Sequence, residues 1–132
     1  LSDQQIARWR AAKTEEEKRQ IELEILPAIR EEVNSYSRVL DLANERGTII
    51  VASAGNQNMP AYLYALPLSQ RVITVAAIDS KDGRWESSNH GLYTTVSAPG
   101  HLIYSGLARE TKDRGYYGTM SGTSMAAPHV TG

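Results

Sequence analysis

Two short stretches hold side chains of the kind that perform acyl chemistry. The first is Ser121-Gly122-Thr123-Ser124-Met125-Ala126-Ala127-Pro128-His129, which sets a serine behind a glycine and ahead of small residues. Thr123 and Ser124 read as the start of a helix, where amides are unpaired and the dipole favours negative charge. A serine placed there can attack a carbonyl carbon while its own amide faces the oxyanion that develops. Gly118 and Gly122 leave the approach uncluttered, Ala126 and Ala127 let the helix sit close beneath, and Pro128 frees the Ser124 carbonyl from its helical partner. The second stretch, Ser53-Ala54-Gly55-Asn56, ends in a side-chain amide that can donate to an oxyanion from outside the backbone. Alone, Gly-Thr-Ser reads as a helix cap and Ala-Gly-Asn as a turn.

The surrounding elements must bring these stretches together. Residues 1–46 contain no glycine and much of the charge. Ser2 with Gln5, and Thr14 with Glu17, form two capping boxes, the second with an acidic first turn suited to the helix dipole. Leu26, Ile29, Val33, Tyr36, Leu40 and Ala43 step by three and four, one apolar stripe of a helix that Pro27 is expected to start or kink and Gly47 to end. The charged face of this region reads as a solvated helix surface. After Gly47 the texture changes. Thr48–Ala52 and Arg71–Ile78 are continuous β-branched runs, the pattern of parallel strands buried on both faces. Helix, buried strand and polar loop in succession describe an open α/β sheet, whose ligands gather at the carboxyl ends of its strands.

Taken together, the motifs resemble the subtilisin-like serine peptidases, the subtilase or peptidase S8 family. Ser53-Ala54-Gly55-Asn56 is similar to the family's oxyanion-asparagine motif, and Ser121 to Gly132 to its nucleophile motif, with a similar spacing between Asn56 and Ser124. Val72 to Ile78 with Asp79 looks like the family's central strand and following turn. Ser88-Asn89-His90-Gly91 and Ala98-Pro99-Gly100 look like two further signatures in the right order. The resemblance covers residues 47–132 and implies a partial subtilisin-like α/β fold: a mostly parallel buried sheet flanked by helices. The N-terminal helical region, 1–46, matches loosely, as a family helix with an insertion. The resemblance further implies that Ser124 is the nucleophile and that Asn56, with the Ser124 amide, binds the oxyanion. Ser53, Ala54, Gly55, Gly122 and Thr123 would contact substrate, with Ala54 and Gly55 walling the primary specificity pocket and pairing by backbone with an extended polypeptide. It implies a serine endopeptidase with a polypeptide partner, in a secreted or cell-envelope setting.

A serine triad also needs a histidine base and an aspartate that orients it, and in this family both precede the oxyanion asparagine. Here His90, His101 and His129 all follow Asn56. His129 lies five residues past Ser124, beyond one helical turn, and all three histidines are expected to be structural or on the surface. Both ends are expected to be truncations, with the first part of the catalytic domain missing and the isolated chain inactive. The rival readings are a non-catalytic remnant or subunit and a phosphate-binding module. Thr123 stands where a phosphate loop needs lysine, which argues against the module. An aspartate-bearing sedolisin-type site is opposed by Asn56.

The totals narrow the rest. The 132 residues carry a net charge of −1, which gives no reason to expect nucleic acid or an anionic membrane as partner. No apolar run approaches the roughly 20 residues that cross a bilayer. The absence of cysteine removes disulfides, a thiol nucleophile and cysteine-ligated zinc. No cofactor is identifiable, and calcium is implied by the family resemblance only. The long interval without glycine between Gly55 and Gly83 suggests a pocket floor narrowed by Tyr62 or Tyr64.

Overall fold

The computed structural model describes every residue except Asp113, and of Ala65 and Thr111 only the backbone. Two helices open the chain. In α1 (Asp3–Ala11) the Ser2 hydroxyl accepts the Gln5 amide at 3.2 Å, and the Gln5 side chain accepts the Ser2 amide at 2.9 Å. Thr14 and Glu17 repeat this reciprocal cap at the start of α2 (Glu15–Glu45). The end of α2 closes on Gly47, whose φ of 76° is the left-handed conformation that glycine adopts without strain. The Gly47 amide donates to the Asn44 carbonyl and the Thr48 amide to the Ala43 carbonyl, the paired bonds that satisfy a helix C-terminus.

Pro27 neither starts nor stops α2, which runs through it for 31 residues. Its missing amide costs one ladder bond, but Ile21, Ile25 and Ile29 are buried on both sides of it and hold the helix together. Those three isoleucines pack with Met59 and Leu63, while Ile6, Trp9 and Ala12 of the α1 segment close over them. The expected stripe is only partly buried: Tyr36 is 44% exposed, whereas Leu40 is buried.

Three parallel strands follow, in the order β1 (Val51–Ser53), β2 (Ile73–Ile78), β3 (Val96–Pro99). Val51 pairs with Ile73 and Val75 with Val96. The central strand β2 is buried along its middle four residues, as a continuous apolar run requires. The Thr48–Ala52 run departs from expectation. Only Val51–Ser53 forms strand, half-buried, and Ile49 is 74% exposed; among the described residues β1 pairs with β2 alone. A short turn and α3 (Ala65–Leu68) link β1 to β2. An antiparallel hairpin, β4 (Ile103–Thr111) and β5 (Gly115–Met120), precedes the last helix, α4 (Thr123–Thr131).

Helix α4 lies against the sheet through Ala126, which packs with Val75, Ala77 and Ala98. The approach is close at Gly100. A Cβ there would fall 2.6 Å from the Ala77 Cβ and 2.7 Å from the Gly122 carbonyl oxygen, so only glycine fits. The Gly122 amide donates to the Gly100 carbonyl at 2.7 Å, which fixes the start of α4 beside the end of β3. Among the described residues no helix is long and apolar enough to cross a membrane.

Candidate active site

Ser124 is the second residue of α4 and is exposed to solvent. At that position its amide has no intrahelical acceptor. The residue before the helix, Gly122, has no side chain to cap the first turn, so the amide of Ser124 is left open where a serine or aspartate cap would cover it.

Asn56 follows β1 by three residues and reaches the same helix start. Its side-chain oxygen accepts two bonds from Thr123, one from the amide and one from the hydroxyl, each 2.9 Å. With the oxygen anchored on Thr123, the orientation of the carboxamide is set and Nδ2 turns outward. A Cβ built on Gly122 would lie 3.4 Å from Asn56 Nδ2 and 3.7 Å from the Ser124 amide nitrogen. Both donors therefore lie near one point beside Gly122, which the Met125 sulfur also approaches to 3.4 Å. Two N–H groups converging at a helix N-terminus suit an oxyanion.

The loop that carries Asn56 is itself tied down. Asn89 is fully buried, and its Oδ1 accepts the amides of Gln57 at 2.9 Å and Met59 at 3.0 Å. Its Nδ2 donates to the Ala54 carbonyl at 3.0 Å, and its amide donates to the Gly55 carbonyl. Gly55, with φ of 102°, has to be glycine: a Cβ would fall 2.4 Å from Asn89 Nδ2. The Asn56 amide donates to the Gln57 side-chain oxygen at 2.8 Å. Sequence reading set Asn89 in a family signature without a task. No local sign marks that task, because its partners are 30 to 35 residues away.

Ser53, Ala54, Gly55, Asn56 and Thr123 line a cleft of about 550 Å³, together with Tyr64 and Glu32. Ala54 and Gly55 form its wall, but their backbone groups are already engaged. The Ala54 amide donates to the Val75 carbonyl and the Gly55 amide to the Thr123 hydroxyl, while Asn89 takes both carbonyls. They do not offer free donors to an extended substrate. Of the two tyrosines expected at the floor, Tyr64 faces the cleft. Its hydroxyl is buried, and burial raises its pKa, with Asn89 and Arg10 acting the other way. Tyr62 instead donates to Glu22 at 2.7 Å and meets Tyr93 edge-on. Ser124 itself lines a second cleft, of about 450 Å³, between the hairpin and α4, with Ile103, Leu107, Met120 and Met125 among its other residues.

Among the described residues no histidine nitrogen is hydrogen-bonded to the Ser124 hydroxyl. His129 Nδ1 donates to the Met125 carbonyl at 2.8 Å, one turn back on its own helix. His101 lies against Trp85 and within 3.2 Å of the Ser121 hydroxyl. The backbone of His90 pairs with Met59 and Ala61, and burial holds its imidazole below the usual range, with Arg84 adding to the effect. Among the described residues no three histidine, aspartate or glutamate side chains gather to hold a metal ion.

A family model described as the subtilase family matches residues 27–132. Thermitase of Thermoactinomyces vulgaris is 37% identical over 104 residues, covering 75% of this chain and 33% of that protein. Subtilisin-like protease 6 of Trichophyton schoenleinii is 44% identical over 90 residues, covering 67% of this chain and 21% of that protein. A solved structure of a cold adapted subtilisin-like serine proteinase superimposes with a TM-score of 0.52 at 37% identity, over 61% of this chain and 28% of that one. The chain thus spans a third or less of the length of these relatives.

Proposed function

The chain belongs to the subtilase family, and on that premise we propose that it is the nucleophile-bearing part of a serine endopeptidase acting on polypeptides. Residues 47–132 supply the later part of the catalytic domain and residues 1–46 a helical region joined to it. The Ser124 hydroxyl oxygen bonds to the scissile carbonyl carbon as its proton passes to a histidine base. The carbonyl oxygen becomes an oxyanion that accepts from Asn56 Nδ2 and the Ser124 amide. The C–N bond then breaks as the base returns the proton to the leaving amine, and water hydrolyses the acyl-enzyme. The base and its orienting aspartate come from a part of the parent protein that this chain does not include. The engagement of His90, His101 and His129 elsewhere supports this, as does the share of its relatives that the chain spans. The isolated chain is accordingly inactive.

The observation that carries the reading is the convergence of Asn56 Nδ2 and the Ser124 amide on the space in front of Gly122. Tyr64 at the cleft supports a primary pocket that favours small side chains. The family resemblance supports a secreted or cell-envelope location for the parent. The test is the turnover of a chromogenic peptide by the full-length protein. Asn56→Ala is expected to lower kcat about 10²–10³-fold, a magnitude carried over from loss of the corresponding donor in a subtilisin. Unchanged kcat in that variant would remove Asn56 from the mechanism.

A further inference from the structure

The first 26 residues lie outside the stretch that matches the family, yet they touch the site. Helix α1 packs through Ile6 and Trp9 onto the core that Met59 and Leu63 share with α2. Trp9 and Tyr62 both donate to the same Glu22 carboxylate oxygen, at 3.3 and 2.7 Å, which stitches the arm to the segment after the site loop. One bond goes further. Arg10 Nη2 donates to the Gln57 carbonyl at 2.8 Å, across 47 residues of sequence. That carbonyl belongs to the peptide between Gln57 and Asn58, and Asn58 has a φ of 53°, the left-handed turn conformation that asparagine adopts more readily than most non-glycine residues. Gln57 in turn takes the Asn56 amide on its side chain. The guanidinium thus grips the turn one residue beyond Asn56.

We propose that Arg10 is a positioning residue for Asn56: the helical arm, through this bond, holds the turn that aims the carboxamide at the oxyanion. The inference rests on the reading of Asn56 as an oxyanion donor. A charge-assisted bond to a single carbonyl, on a side chain exposed to solvent, contributes little to the stability of the fold as a whole. Its effect falls on the one peptide that it restrains.

The experiment is a double-mutant cycle in the full-length protein. Arg10→Ala is expected to lower kcat about 2–10-fold with KM unchanged, the factor that the loss of one ordinary hydrogen bond represents. In an Asn56→Ala background the same change is expected to lower kcat less than about twofold, because the group it positions is gone. Arg10→Lys, which keeps one donor, is expected to restore kcat to within about twofold of the parent, and its thermal unfolding should be unchanged. An Arg10→Ala enzyme with full kcat, a loss confined to KM, or the same loss with and without Asn56 would overturn the proposal while leaving Asn56 in place. If Asn56→Ala itself keeps full kcat, the oxyanion reading fails, and the proposal with it.

Discussion

Thr123→Val isolates the contact that aims Asn56. The Thr123 hydroxyl is fully buried and makes two bonds: it accepts the Gly55 amide at 3.1 Å and donates to Asn56 Oδ1 at 2.9 Å. Valine matches threonine in shape, so the change opens no cavity and the loss is polar. The Gly55 amide is left without its acceptor in a part-buried site, which costs about 1–3 kcal/mol of folding free energy. Asn56 is less affected, because its oxygen keeps the Thr123 amide at 2.9 Å. Its carboxamide is then held by one bond instead of two. A hydrogen bond of about 0.5–1.5 kcal/mol converts to a fall in kcat of about 2–12-fold, with KM unmoved, since the lost interaction matters only when the oxyanion forms. The assay is steady-state hydrolysis of a peptide substrate by the full-length protein, with urea unfolding of the inhibited enzyme alongside. Thr123→Ser keeps both bonds and serves as the control. Parental kcat in Thr123→Val, or a loss that persists undiminished in an Asn56→Ala background, would show that Thr123 does not act through Asn56.

Three further outcomes follow from contacts around the site. Gly55→Ala drives a Cβ to 2.4 Å from Asn89 Nδ2 at a φ of 102°, and a loss of about 2–3 kcal/mol or more in urea unfolding is expected; a stable variant would mean that the loop relaxes freely. Tyr64→Ala empties the cleft floor, and a peptide-library profile should shift at the scissile position from small residues towards large ones; a parent enzyme that already prefers aromatics there would contradict the role of Tyr64. His90 is held below its ordinary pKa of 6.5, so the folded protein binds fewer protons than the unfolded chain. Its contribution to stability is present above pH 6.5 and lost as pH falls through the lower folded value; urea midpoints of His90→Gln should fall less steeply over that window than those of the parent.

What could be read in the sequence was what depends on near neighbours. Ser2 with Gln5, Thr14 with Glu17, Gly47, and the helix opening at Thr123 are set by contacts within a few residues, and the structure forms all of them. The β2 run and its parallel pairing also stand out, because burial on both faces leaves a continuous apolar signature. The misreadings lay where distant packing decides. Pro27 reads as a start or a kink, yet it starts nothing: the isoleucines on either side are buried against Met59 and Leu63, some thirty residues on, and carry the helix through it. Ile49 reads as buried strand and is 74% exposed just before β1, whose paired strand among the described residues is β2. Asn89 and Arg10 reach the Asn56 loop across 32 and 47 residues, so nothing in their own surroundings announces them. Thr123 lines the cleft where the sequence sets it, and the added task of its hydrogen bonds to Gly55 and Asn56 spans 67 to 68 residues.

The central claim is that Ser124 is a nucleophile armed by groups outside this chain. Its most direct test is mass-spectrometric mapping of the adduct left by a fluorophosphonate on the full-length protein and on the 132-residue chain alone. The account predicts a single phosphonylated residue, Ser124, in the full-length protein and none in the isolated chain. Modification of a different residue in the full-length protein, or rapid labelling of Ser124 in the chain by itself, would contradict it.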